Sequence, residues 1–165
     1  MKSYLLILIS ILSVGTQIVN AEIVKNSAGE KIELKSNGTW VKVPVTEKDL
    51  VNDGQRYNIT IDDGNKQPVE VSVIPDITLM GIARPLTKDE INFQIKISSL
   101  SAQYKLKNKY SYKPKEVYVT QKGNDVKIRI NHTGENGYGA AVPGSYESTF
   151  YIEKNGKLKQ TSSMF

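Results

Sequence analysis

The chain contains no cysteine and only one histidine among its 165 residues. The lack of thiols excludes disulfide bonds, a cysteine nucleophile, iron–sulfur clusters and cysteine-ligated zinc. Catalytic zinc usually takes two or three histidine ligands, so a single histidine argues against that site as well. Positive charge is only mildly in excess, with 22 basic against 17 acidic side chains. This excess is far smaller than that of a histone-like tail.

The N-terminus has the pattern of a secretory signal peptide. Lys2 supplies a positive start, residues 5–14 are apolar apart from two serines, and residues 19–21 place small side chains at the −3 and −1 positions of a cleavage site. The alternative, a retained membrane anchor, would need roughly 20 apolar residues. We therefore predict cleavage after residue 21 and export to the periplasm or the extracellular space. No later segment is long and apolar enough to predict a transmembrane span.

Residues 22–44 predict an N-terminal β-hairpin module. Apolar and polar residues alternate along it, Asn37-Gly38 favours a tight turn, and Pro44 ends the pattern. We expect Trp40, the single tryptophan, to anchor the hairpin by packing, because an isolated hairpin is marginally stable.

The remaining residues, 45–165, predict one α+β domain in which most of the sheet is antiparallel. Residues 77–86 are apolar but broken by glycine and proline, which predicts buried connecting structure. The glycine-rich stretch 133–145 predicts a loop, and the residues after Gly156 a frayed tail. Strand patterns fall at residues 57–62, 69–74, 117–119, 126–131 and 146–153.

The main helix is predicted over about residues 88–107. Apolar residues alternate from Ile91 to Ile97, which favours a strand. Against this, Thr87 and Glu90 fit a helix capping box, and the span lacks glycine and proline. Four apolar residues also lie near one face of a helix, with three more alongside them; the four are Ile91, Ile95, Ala102 and Leu106, and the three are Phe93, Ile97 and Tyr104. We therefore favour the helix over the strand.

Two motifs resemble uncharacterised exported bacterial proteins. The run from Gly29 to Trp40 is similar to their hairpin motif G-K-V-x-L-x-x-D-G-T-W, with Asn37 where aspartate is usual. Residues 106–114 are similar to their L-K-D-P-x-S-A-x-F helix exit, and residues 135–141 stand where an N-S-F-G-G-Y loop follows. The resemblance implies a helix followed by strands and an exported location. It implies no activity.

No pattern selects a catalytic, cofactor or metal site. His132 has no partner serine motif, so we expect an ordinary surface or hairpin residue. The carboxylates at 62–63, 89–90 and 135 could hydrolyse sugars, but acids are common in turns and at helix starts. The glycines within 134–139 lack the following helix and the Gly-Lys-Ser/Thr of a phosphate loop. We expect no enzyme activity and no cofactor.

Residues 104–118 hold five lysines and four tyrosines but only one acid, Glu116. Interleaved cations and aromatic rings suit an anionic polymer. In a cell envelope the candidates are lipopolysaccharide, teichoic acid or anionic lipid rather than nucleic acid. The plainer alternative is a solvated helix end whose lysines offset the helix dipole. The candidate anion-binding residues are Tyr104, Lys105, Lys107, Lys109, Tyr110, Tyr112, Lys113 and Lys115.

The sequence thus predicts a non-catalytic binding or structural module of the bacterial cell envelope. Its partner would be an envelope protein or an anionic envelope polymer. Polyanion binding through residues 104–118 is the first alternative, and a hydrolase is a distant one.

Overall fold

A computed structural model describes residues 22–25 and 31–164. The predicted signal peptide lies outside the described residues, as do residues 26–30 of the predicted hairpin module. The chain divides after Pro44 into two compact units.

The first unit contains a three-stranded antiparallel sheet in the order β1-β2-β3. Its strands are β1 (Glu22–Lys25), β2 (Lys31–Leu34) and β3 (Trp40–Lys42). The turn between β2 and β3 is closed by Asn37, whose Oδ1 accepts a hydrogen bond from the Thr39 backbone N–H at 3.0 Å.

Trp40, which the sequence predicts to anchor the hairpin, is 59% exposed. It lies directly across from Leu34, which is also exposed. Both side chains therefore belong to an exposed part of this small sheet, in which the buried hydrophobic residue is Ile32.

The second unit contains a six-stranded sheet in the order β4-β5-β6-β7-β8-β9. All neighbouring pairs are antiparallel except β5 and β6, which are parallel and joined through the helix α1. The α+β class with one main helix and a mostly antiparallel sheet is thereby confirmed. The elements are β4 (Tyr57–Asp62), β5 (Pro68–Thr78), α1 (Lys88–Lys105), β6 (Lys113–Lys122), β7 (Asp125–Glu135), β8 (Ala141–Ile152) and β9 (Leu158–Met164), with short 3-10 helices at Glu47–Asp49 and Lys109–Ser111.

Helix α1 begins at the predicted capping box. The Thr87 hydroxyl accepts from the Glu90 backbone N–H, and the Glu90 carboxylate accepts from the Thr87 backbone N–H at 3.0 Å. The Arg84 guanidinium also forms hydrogen bonds with both oxygens of the Glu90 carboxylate. Burial acts to raise the pKa of Glu90, but these hydrogen bonds and the Arg84 charge outweigh it, so that the pKa is lowered.

The core of the second unit lies between α1 and the sheet. Ile91 and Ile95 of the helix are fully buried and belong to the same apolar cluster as the central strands. Phe93 and Ile97 are 61% and 41% exposed. The predicted face of Ile91, Ile95 and Ala102 is confirmed, since all three are fully buried. Phe93 and Ile97 do not continue that face, because α1 carries apolar side chains on two opposite sides.

The segment around residues 75–86 differs from its prediction. Strand β5 continues through Pro75 instead of ending there. Its pairing with β4 ends at Val73, so the missing N–H of Pro75 removes no hydrogen bond to β4. The connection that follows is not buried, since Met80 and Ile82 are 56% and 96% exposed. Only Leu86, at its end, is fully buried.

The predicted loop over 133–145 consists mostly of strand. Strand β7 runs to Glu135 and β8 starts at Ala141. Two of its glycines make room for packing, because a Cβ on Gly134 would lie 2.8 Å from Leu106 and one on Gly144 would lie 2.9 Å from the His132 ring. The prediction of a frayed tail after Gly156 is also wrong, since β9 pairs with β8.

Candidate functional site

Two exposed tyrosines flank a lysine at the end of α1. The Lys109 Nζ lies 5.3 Å from the ring centroids of both Tyr104 and Tyr110, within cation–π range. The tyrosines are 70% and 60% exposed. Tyr104, Lys109 and Tyr110 are called the cation–aromatic cluster below, and both rings remain available to a ligand.

The β4–β5 turn holds this cluster in place. The Gly64 backbone N–H donates to the Tyr112 carbonyl at 2.8 Å, and the Asn65 side-chain amide donates to the Tyr110 carbonyl at 3.1 Å. The Gln103 side-chain amide donates to the Gly64 carbonyl at 3.2 Å. The cluster is thus tied to the helix and to a turn distant in sequence.

The other predicted lysines are exposed, but they are spread over different elements. Lys105 ends α1, Lys107 lies in the following connection, and Lys113 and Lys115 lie two residues apart at the start of β6. The structure therefore groups the positive charges around the helix end without directing them at a single point.

Tyr112 does not belong to an accessible binding surface. It is fully buried, and its hydroxyl is 2.8 Å from the Ser99 Oγ. Burial raises the pKa of Tyr112 to about 12, and the bond to Ser99 acts in the opposite direction. Its predicted role in ligand contact is therefore wrong.

His132 is a core residue rather than a surface residue. It is 2% exposed, and its ring centroid lies 5.3 Å from that of Tyr112. The Nδ1 atom is 3.4 Å from the Ile130 carbonyl oxygen. Burial lowers the pKa of His132, and the contact with Ile130 acts to raise it.

Three of the carboxylates considered for catalysis, those of Asp63, Glu90 and Glu135, have structural partners. Asp63 closes the β4–β5 turn by accepting from the backbone N–H groups of Asn65 and Gln67, at 2.8 and 2.9 Å. Glu135 accepts from the Asn108 side-chain amide at 2.7 Å. Across residues 22–25 and 31–164, no three histidine or carboxylate side chains come together as a metal site. In the same part of the chain, no helix is long and apolar enough to cross a membrane.

An apolar stripe lies on the outer side of α1, and the sequence-based prediction did not separate it from the buried face. Phe93, Ile97, Leu100 and Tyr104, called the outer stripe below, are 41–70% exposed. Their spacing of i, i+4, i+7 and i+11 places them on one helical face, opposite the buried Ile95. Separating the two sets by this spacing could have revealed the stripe.

A groove of about 420 Å³ runs beside the outer stripe. The helix supplies most of its lining, and the rest comes from Ser163 of the outermost strand β9 and from Tyr146 of β8, which is only 2% exposed. A volume of this size lies within the range of small-molecule sites. The residues of the helix wall are Ile97, Leu100, Ser101, Tyr104 and Lys105.

No family model, curated protein or solved structure matches the chain. The likeness of its two motifs to exported bacterial proteins therefore stays a prediction.

Proposed function

We propose that the chain is a non-catalytic binding or structural module of the bacterial cell envelope. The observation that supports this proposal is the outer stripe of α1, whose four large side chains are exposed to solvent on a helix with a capping box. An apolar face exposed in this way is typical of a surface that a partner covers.

Binding to isolated cell-envelope fragments tests this proposal. Purified residues 22–165 should sediment with the fragments, and the double variant Ile97→Ser, Leu100→Ser should bind about tenfold more weakly, since it removes apolar area from the interface. The matched control is Val142→Ser, Tyr151→Ser, which removes two similarly exposed apolar residues of β8. Equal losses in both variants would contradict a role for the stripe.

We propose further that the chain is exported and that residues 22–44 form a separate module, in which the predicted hairpin is part of the three-stranded sheet β1-β2-β3. The apolar stretch at 5–14 and the cleavage pattern at 19–21 support export. When the full chain is expressed, cell fractionation should recover it from the periplasm or the medium without its first 21 residues. Serine substitutions throughout 5–14 should retain it in the cytoplasm, and recovery of that variant outside the cytoplasm would contradict the signal.

Polyanion binding is a second candidate function, supported by the cation–aromatic cluster. Affinity for lipopolysaccharide or teichoic acid should fall steeply with salt, as counterion release predicts. This binding should be abolished when five lysines are replaced by glutamine, namely Lys105, Lys107, Lys109, Lys113 and Lys115. The charge-matched control changes five exposed lysines elsewhere, and equal effects of the two variants would contradict a local site. The control positions are Lys35, Lys48, Lys122, Lys154 and Lys157.

A further inference from the structure

The groove beside α1 combines an apolar wall with a positive end. Ile97, Leu100 and Tyr104 supply apolar and aromatic surface along the helix side, and Tyr146 of β8, which is only 2% exposed, adds a small part of the lining. Lys105 lies at the same wall, one residue beyond Tyr104. A ligand that fills this groove therefore meets apolar surface along its length and an ammonium group at one end.

Lysines outnumber acids around this end, where the fold adds one carboxylate, that of Glu135, which accepts from the Asn108 side-chain amide at 2.7 Å. From residue 91 to residue 115 the chain contains six lysines and no aspartate or glutamate. The C-terminal end of α1 carries only a partial negative charge, which offsets part of one lysine. The local potential therefore favours an anion over a neutral or cationic group.

The two features together specify one chemical class of ligand. A polymer of phosphate or sugar would use the lysines but leave the outer stripe uncovered, while a neutral lipid would use the stripe but not the lysines. We infer that the groove binds a single molecule of an anionic amphiphile, with its acyl chain along Ile97, Leu100 and Tyr104 and its charged head beside Lys105. This inference rests on the proposed binding function and names its ligand class.

The cation–aromatic cluster extends the site beyond the head group. Lys109 lies between the rings of Tyr104 and Tyr110, and Tyr104 is shared with the groove wall. A larger anionic head could reach Lys109 while its acyl chain stays in the groove. The tyrosine hydroxyls provide hydrogen-bond donors at the boundary between the apolar and charged parts.

Dodecyl phosphate below its micelle concentration is a suitable probe for the full chain purified from the envelope. We expect saturable binding by titration calorimetry, with NMR shifts concentrated at Ile97, Leu100 and Tyr146. Dodecyltrimethylammonium, with the same chain but a cationic head, should bind at least about tenfold more weakly. Inorganic phosphate alone should give no shifts in the groove. Equal affinity for the two amphiphiles, or shifts spread over the whole chain, would overturn the inference.

Two exposed residues separate the chain and head contributions. Leu100→Ser should weaken both amphiphiles about tenfold, because it removes apolar wall. Lys105→Gln should weaken dodecyl phosphate about fivefold without weakening dodecyltrimethylammonium, and Lys122→Gln, on an exposed position of β6, should change neither. Circular dichroism confirms that each variant is folded. A Lys105→Gln variant that binds dodecyl phosphate normally would contradict the placement of the head.

The inference and the proposed function fail in different ways. If anionic vesicles bind the chain but monomeric dodecyl phosphate does not, the surface recognises a membrane and the inference is overturned. If no amphiphile binds while the double variant Ile97→Ser, Leu100→Ser still loses binding to envelope fragments, the inference fails and the proposed function stands. If that variant also binds the fragments normally, both fail.

Discussion

At the scale of single residues, burial separates side chains that look equivalent in the sequence. Tyr110 and Tyr112 are two residues apart, yet one is 60% exposed and the other fully buried. The difference arises because the 3-10 helix at Lys109–Ser111 ends between them and Tyr112 turns towards Ser99 and His132. Spacing within residues 104–118 does not contain this information, since it depends on strands that follow later in the chain.

Burial of His132 predicts a stability change in mildly acidic solution. The unfolded chain takes up a proton near the ordinary histidine pKa of about 6.5, whereas burial keeps the folded pKa lower. The unfolded state then binds more protons, so the free energy of unfolding should fall as pH drops below about 6.5 towards the folded pKa. Above that interval both states are neutral and the effect vanishes. Urea denaturation between pH 7.5 and 5 measures it.

The control for this prediction is His132→Gln, which cannot titrate. His132 is the only histidine in the chain, and the lowered pKa of Glu90 places its effect at more acidic pH. The variant should therefore lose the slope between pH 6.5 and 5 even if it is less stable overall. The same slope in both proteins would contradict the assignment.

Gly64 is expected to tolerate no side chain. A Cβ at this position would lie 2.5 Å from the Tyr110 carbonyl oxygen, which belongs to backbone that must shift to make room. Gly64→Ala should lower the free energy of unfolding by at least about 1 kcal/mol and displace the cation–aromatic cluster. Gly137→Ala, whose Cβ would have only Lys107 Nζ nearby at 3.9 Å, should be close to neutral. Thermal denaturation of the pair distinguishes a steric effect from a general cost of replacing glycine.

At the scale of elements, the sequence predicts what a single strand or helix determines by itself. Strand β4 lies at the predicted 57–62, and α1 begins at its predicted capping box. The glycine-rich parts of β7 and β8 were unpredictable because glycine usually signals a turn. Here Gly134 and Gly144 lie in strands because Leu106 and the His132 ring pack against their backbone. That requirement is set by residues that are close to the two glycines in the fold but at least 12 positions away in the sequence.

Helix α1 offers a matched test of its two apolar sides. Ile95 and Ile97 are the same residue type on one helix, but Ile95 is fully buried and Ile97 is 41% exposed. Ile95→Ala should cost about 2–5 kcal/mol of unfolding free energy, because it leaves a cavity in the core. Ile97→Ala should cost less than about 1 kcal/mol. Urea denaturation of both variants measures the difference, and similar losses would mean that the outer stripe is structural.

The alternating pattern from Ile91 to Ile97 has its explanation in these two sides. An α-helix with one apolar face repeats every three to four residues, whereas two opposite apolar sides bring apolar residues to every second position. The pattern is therefore ambiguous between a strand and a two-sided helix. The ambiguous pattern therefore already contained two residues of the candidate site. Phe93 and Ile97 are apolar residues that the core does not bury, and they belong to the outer stripe.

At the scale of the whole molecule, the second unit supplies its own core. Its main apolar cluster runs from Val51 to Ile152 and includes no residue before 45. The sheet of this unit also takes all six strands from residues 57–164. All residues of the groove and of the cation–aromatic cluster belong to the second unit. The first unit therefore contributes none of the named side chains of the proposed site.

Residues 45–165 should therefore fold and bind without the residues that precede them. Removal of residues 1–44 should change the free energy of unfolding of the second unit by no more than about 0.5 kcal/mol, because no core side chain is lost. Urea denaturation compares this fragment with residues 22–165, and calorimetry with dodecyl phosphate compares their affinities. A fragment that is destabilised by more than about 1 kcal/mol, or that binds more weakly, would show that residues before 45 stabilise the second unit or complete its groove.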